Sequence, residues 1–152
     1  MWRRWRDRLA FGAALLLATG CGASGGVEPD PAVAPFVGTW DATVYEIWPE
    51  SNPAGVIDVL DAFGPFRITV EPSGQYTAAL EATPPQVQIG KLTVIGTTIR
   101  LDVTTPPGEP SATASYSFTA EDYVVLDGSI EVDFNNDGAR DPGGAHIELQ
   151  RR

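Results

Sequence analysis

Beyond residue 36 the chain alternates apolar and polar residues with a period of two, the mark of half-buried strands. Phe66-Arg67-Ile68-Thr69-Val70-Glu71 is the clearest run. Pro72-Ser73-Gly74 interrupts it, and Tyr76, Ala78 and Leu80 then mark the inward face of the next strand, so the pair predicts a hairpin. Val87 and Ile89 continue the alternation, but Leu92 and Val94 are out of phase with them, which predicts a β-bulge at Gly90-Lys91. Ile99, Leu101 and Val103 define a strand ended by Pro106-Pro107-Gly108, and Ala112, Ala114, Tyr116 and Phe118 define its successor. Residues 123–134 hold another, with Ile130, Val132 and Phe134 in register and Asp127-Gly128 read as a kink or turn. Ala145, Ile147 and Leu149 form the last strand. With a first strand at about 37–48 the count is eight, and the one helical candidate is a short turn within Val56–Phe63.

Eight consecutive short strands joined by tight turns predict an all-β fold, an eight-stranded antiparallel up-and-down barrel. Closing the sheet removes the exposed edges that would recruit other chains. A two-sheet sandwich is the competing architecture.

The amino terminus follows a different rule. Met1–Arg8 carries four arginines, Leu9–Ala18 is uncharged and mostly apolar, and Thr19-Gly20-Cys21 closes the segment. A basic start, a short apolar run and small residues before a cut are the layout of a secretory signal. The run is shorter than the roughly 20 apolar residues a membrane-spanning helix needs. Leu17-Ala18-Thr19-Gly20-Cys21 resembles the lipobox of bacterial lipoproteins, with Ala18 where Leu is usual. The resemblance implies that residues 1–20 are removed, that Cys21 takes a diacylglyceryl thioether, and that the new amino terminus is acylated, for instance by palmitate. The alternative is a conventional secreted protein with an unpaired cysteine. Cys21 is the only cysteine, so no intramolecular disulfide can form. Gly22, in place of the Asp that retains lipoproteins in the inner membrane, implies an outer-membrane destination in a Gram-negative host.

Residues 21–35 read as the lipidated Cys and a flexible Gly/Ser/Pro tether, and 36–152 as one domain. Residues 1–20 hold four arginines and one aspartate, so their removal leaves 6 basic and 19 acidic side chains, a net charge of −13. That charge opposes nucleic acid and anionic lipid as partners of the domain and suits a monomer held off the membrane by its tether.

Within the domain, Gly38-Thr39-Trp40 resembles the G-x-W opening of lipocalin-type (calycin) barrels. Asp122-Tyr123, after Glu121, resembles the family's T-D-Y turn, and Arg151 stands where a basic residue crosses the tryptophan at the barrel floor. The family's C-terminal helix has no counterpart before Arg152, and the domain is short for a lipocalin. The resemblance implies a small hydrophobic ligand inside the barrel, with Tyr76, Leu80, Leu101, Tyr116 and Phe118 lining the cavity and Trp48 at its mouth. An eight-stranded barrel is just wide enough to be filled by side chains or to hold one small ligand. The alternative is therefore a filled barrel whose loops, such as 49–65 or 104–111, contact a protein partner. An open apolar pocket of a few hundred cubic ångströms separates the two readings.

Asp133-Phe134-Asn135-Asn136-Asp137-Gly138-Ala139-Arg140-Asp141 matches the opening of a D-x-[DN]-x-[DN]-G calcium loop. Oxygens of Asp133, Asn135 and Asp137, the Ala139 carbonyl and Asp141 are the candidate calcium ligands, but Gly144 occupies the position of the bidentate acid. The same residues suit a plain hairpin loop. His146, the only histidine, alternates with Ala145 and Ile147 and is expected on the outer, exposed face. With no Cys–His pair and no G-x-S-x-G elbow, the chain reads as a non-enzyme.

Overall fold

The computed structural model describes residues 29–152. The expected signal segment 1–20, Cys21 and the beginning of the expected tether lie outside the described residues. The strands are β1 (Gly38–Pro49), β2 (Ile57–Asp58), β3 (Phe66–Val70), β4 (Gln75–Leu80), β5 (Gln86–Ile95), β6 (Thr98–Thr105), β7 (Ala112–Ala120), β8 (Tyr123–Val132) and β9 (Asp141–Arg151). β1 and β3 to β9 pair antiparallel in chain order, and β9 returns to pair with β1, closing an eight-stranded up-and-down barrel. β2 is a two-residue addition to the upper half of β1, leading into helix α1 (Val59–Phe63). Asp58 caps that helix by accepting from the Leu60 and Asp61 N–H groups, and Gly64 ends it at φ 105°.

β1 reconciles two inward phases. Trp40 is buried before the bulge and Ile47 after it, an odd separation that an unbroken strand cannot deliver. Against β9 the pairing passes from Ala42–Leu149 to Val44–Glu148, leaving Thr43 as the extra residue. Thr43 Oγ1 lies within hydrogen-bonding distance of both the Glu148 carbonyl and the Tyr123 hydroxyl and can donate to either, so the bulge is tied down.

Three sequence expectations change. β5 has no extra residue: it pairs evenly with β4 from Gln75–Lys91 to Leu80–Gln86. The bulge at this height lies in β6, where Thr104 is skipped between the pairs Gly90–Val103 and Ile89–Thr105. Gly90, Leu92 and Val94 therefore face inward, while Val87 and Ile89 lie on the outer wall, 50% and 43% exposed. Gly128 is no turn. It sits mid-strand between Ala114 and Ala145, where a Cβ would meet the Thr113 carbonyl and the Ala114 methyl. The end of the supposed tether also packs: Asp30 donates its N–H to the Pro72 carbonyl, and Val33 and Phe36 are buried beneath the barrel. Each such side chain contributes about 1.5–3 kcal/mol relative to leaving it in water.

The main core runs from this N-terminal segment through Trp40, Ile68, Tyr76, Leu92 and Ile99 to Val124 and Leu149. A smaller cluster of Ile47, Val59 and Ala145 closes the upper end beneath α1. Gly90 shows how tightly the wall fits: a Cβ there would run into the Asp102 carbonyl oxygen and the Tyr76 ring. Gly90→Ala is expected to destabilise the protein by at least about 2 kcal/mol, because backbone on the neighbouring strand must move. Urea unfolding checks this, and an unchanged midpoint would refute the close approach.

Candidate functional site

The barrel has two unlike ends. At the lower end, the floor, lie the chain's entry and the β3–β4, β5–β6 and β7–β8 turns. At the upper end, the rim, lie α1 and the loops 50–65, 81–85, 106–111 and 133–140.

The floor is sealed by aromatic stacking. A 3₁₀ turn, Ala34–Phe36, lays Phe36 across the opening. Its ring meets Tyr116 edge-on at 4.9 Å and Phe118 at 5.2 Å, and Phe118 lies 6.2 Å from Trp40. The Trp40 indole donates to the Phe36 carbonyl at 2.7 Å. Arg151 covers the Trp40 ring with its guanidinium carbon 4.4 Å from the centroid, and donates to the Val37 and Pro35 carbonyls at 2.9 and 2.6 Å. Asp122, in the β7–β8 turn, receives the Arg151 backbone N–H on its carbonyl and the Gln150 amide on its carboxylate. Gly38, Trp40, Asp122, Tyr123 and Arg151 thus all serve the floor or the wall beside it.

The residues expected to line a ligand cavity mostly fill it. Tyr76 is 2% exposed and belongs to the core, and Leu101, Tyr116 and Phe118 pack against that core. Leu80 joins the upper cluster. Trp48 is not at the mouth: beyond the Thr43 bulge it faces the outer wall, its indole lying over Gly144, where a Cβ would strike the ring. The lumen keeps two small voids. The upper one, about 50 Å³, lies among small residues such as Ala112, Ala114, Gly128 and Ala145, with Leu101 beside them. The lower one, about 20 Å³, lies between Trp40, Ile68 and Leu126 and again touches Leu101. A larger recess of about 530 Å³ is a shallow dish outside the barrel, under the floor between Pro35, Phe118, Asp122 and Arg151.

The 133–141 loop is held by its own hydrogen bonds. Both Asp133 carboxylate oxygens accept loop N–H groups, from Asp137 and Gly138, while Asn135 accepts from Asp137 and Asp137 from Ala139. Asn136 at φ 59° and Gly138 at φ 88° let the chain fold onto these oxygens. Asp141 has entered β9, opposite Val132, and Gly144 lies under Trp48, so neither the ninth nor the twelfth position brings a carboxylate into the loop's hydrogen-bond ring. Among the described residues no group of three or more His, Cys, Asp or Glu side chains is arranged to hold a metal ion.

Sequence reading missed a polar row on the outer wall. His146 Nδ1 lies 2.6 Å from Asp127 across the β8–β9 ladder, and its Nε2 lies 3.3 Å from Glu148. The Tyr123 hydroxyl donates to the other Glu148 oxygen, extending the row to Thr43. The carboxylate of Asp127, then that of Glu148, raises the His146 pKa above its ordinary 6.5, and burial only partly opposes them. Only alternation along β8 and β9 hinted at this cluster, by placing these side chains on one face.

No protein-family model matches the chain, and no curated protein matches it.

Arg151→Leu should cost about 1–2 kcal/mol, since the Val37 and Pro35 carbonyls and the Trp40 face lose their partner, and Arg151→Lys should recover only part. Thermal unfolding with Trp fluorescence checks both, and an unaltered melting curve for Arg151→Leu would remove Arg151 from the floor's support. The His146 contribution carries a definite sign. A folded pKa above the unfolded value gives stability that is complete below about pH 6.5 and lost as pH rises through the folded pKa. Wild type should therefore lose stability relative to His146→Gln as pH rises above about 6.5, and parallel stability curves would contradict the His146 bridge.

Proposed function

We propose that this chain is a lipid-anchored, filled lipocalin-like barrel that serves the cell envelope as a non-enzymatic accessory, meeting a protein partner through its surface. The observation that carries this reading is the size of the interior voids, about 50 and 20 Å³. Ligand pockets for drug-sized molecules run to about 300–1,000 Å³, so a hydrophobic cargo would need a lumen several times larger. The barrel shape itself is compatible with the ligand-carrying alternative, and the difference lies in what occupies it. Tyr76, Phe118 and Phe36 hold the space that such a cargo would take.

The anchor rests on the Leu17–Cys21 pattern and its basic, apolar lead. Further support for an accessory role comes from the polar row of His146, Asp127 and Glu148, which lies on the outer wall and not in a recess that could surround a substrate. The segments 50–56 and 106–111 on the rim offer irregular, mostly exposed chain for contact.

Leu101 touches both voids, which makes it the natural test position. The full chain purified in detergent without refolding should show a native mass with no bound molecule beyond its anchor, and should brighten a neutral hydrophobic dye no more than the detergent alone. Leu101→Ala, at a cost of about 2–4 kcal/mol, should join the two voids and gain dye binding. A stoichiometric apolar molecule carried by the wild-type protein would overturn the filled-barrel reading in favour of a ligand carrier.

A further inference from the structure

We infer that the floor of the barrel is a lipid-facing surface, with Ile95 at the β5–β6 turn entering the membrane interface and the acidic rim held away from it. The inference rests on the proposed anchor at Cys21 and adds an orientation to it.

The chain's path supplies the first argument. The described chain enters at the floor, where Asp30 binds Pro72 in the β3–β4 turn and Val33 is completely buried. Asp30 lies nine residue steps beyond Cys21. Even fully extended they reach about 30 Å, so the floor stays close to whatever holds Cys21. The rim stands at the other end of the barrel.

Charge supplies the second. The rim segments 49–66, 81–86, 105–112 and 131–141 contain nine acids and one base, Arg140, which pairs with Glu109. The floor segments 29–38, 70–75, 91–98, 119–123 and 150–152 contain four acids and three bases, Lys91, Arg151 and Arg152. Bilayers rich in anionic lipid repel the rim and tolerate the nearly neutral floor, so the charge distribution itself orients the tethered barrel.

The third is an apolar side chain with no partner in the protein. Ile95 is 67% exposed, more than any other large exposed hydrophobic residue among those described. It ends β5 at a two-residue turn, with Gly96 at φ 62°, so it projects at the tip of a hairpin. That hairpin is in the same sector of the floor as the chain's entry: Leu92 donates to the Gly74 carbonyl, and Lys91 reaches the Ser73 carbonyl with its ammonium. Lys91 and Ile95 share the outer face of β5, four residues or roughly 13 Å apart along the strand, so Ile95 leads into the acyl boundary with the ammonium behind it toward the phosphates.

The test uses the full chain, exported in a bacterial host, purified in detergent and reconstituted into vesicles of phosphatidylethanolamine and phosphatidylglycerol. Ile95→Cys at the floor and Phe63→Cys at the rim are each labelled with a polarity-sensitive dye, the thiol of Cys21 being consumed by its lipid. Flotation with the vesicles reads the anchor, and dye emission with quenching by a lipid-borne nitroxide reads the orientation. The expected result is a several-fold rise in emission and strong quenching at residue 95, with neither at residue 63. A chain that floats while both dyes stay equally in water, or with residue 63 in lipid, overturns the orientation alone. A chain that does not float, or whose wild type takes up dye at a free Cys21, overturns the anchor and the orientation together.

Discussion

Closure between β1 and β9 sets the terms for everything else in this barrel. β1 pairs with β9 along nearly its whole length, from Trp40–Arg151 to Pro49–Gly143. Those pairs fix Arg151 beside Trp40 at one end and Gly144 beside Trp48 at the other. The extra residue Thr43 lets one strand bury Trp40 in the lower core and Ile47 in the upper one, despite their odd spacing. Without that bulge, one of the two clusters would turn to solvent.

A closed sheet of eight short strands encloses little volume, and the chain's own aliphatic and aromatic side chains take most of it. Phe36, Trp40, Tyr116 and Phe118 touch one another at the floor, and Phe36 arrives from outside the sheet, on the segment preceding β1. Glycines at positions such as 90 and 128 let the walls approach each other and the Tyr76 ring, drawing the lumen in further. Fold and function meet here, since a lumen occupied by its own side chains leaves the outer wall, rim and floor as the surfaces available for recognition.

Much of the architecture was legible in alternation. The hairpin of Phe66–Leu80, the inward faces of β6 and β7 and the number of barrel strands follow from residues two apart. What escaped was phase. The mismatch between Val87 or Ile89 and Leu92 reads as a bulge because two β-branched residues are expected to be buried, yet both lie on the outer wall and the irregularity belongs to Thr104 on the neighbouring strand. The Thr43 bulge was hidden because Ala42, Val44 and Tyr45 are all apolar enough to face either way. The same hidden step moves Trp48 from the inward face that unbroken alternation predicts to the outer wall. Asp127-Gly128 looks like a turn in isolation, and only the approach of Thr113 and Ala114 explains a glycine there. The Asp127–His146–Glu148 row depends on cross-strand register, which alternation along one strand does not encode.

An experimental electron-density map of the full chain, purified from its expression host without refolding, tests the filled barrel most directly. The account predicts a lumen occupied by Phe36, Tyr76, Leu101 and Phe118, with room for no more than one or two waters in the upper void. Continuous elongated density between β6 and β9, with Leu101 displaced to admit it, would contradict the account and establish a carrier of apolar cargo.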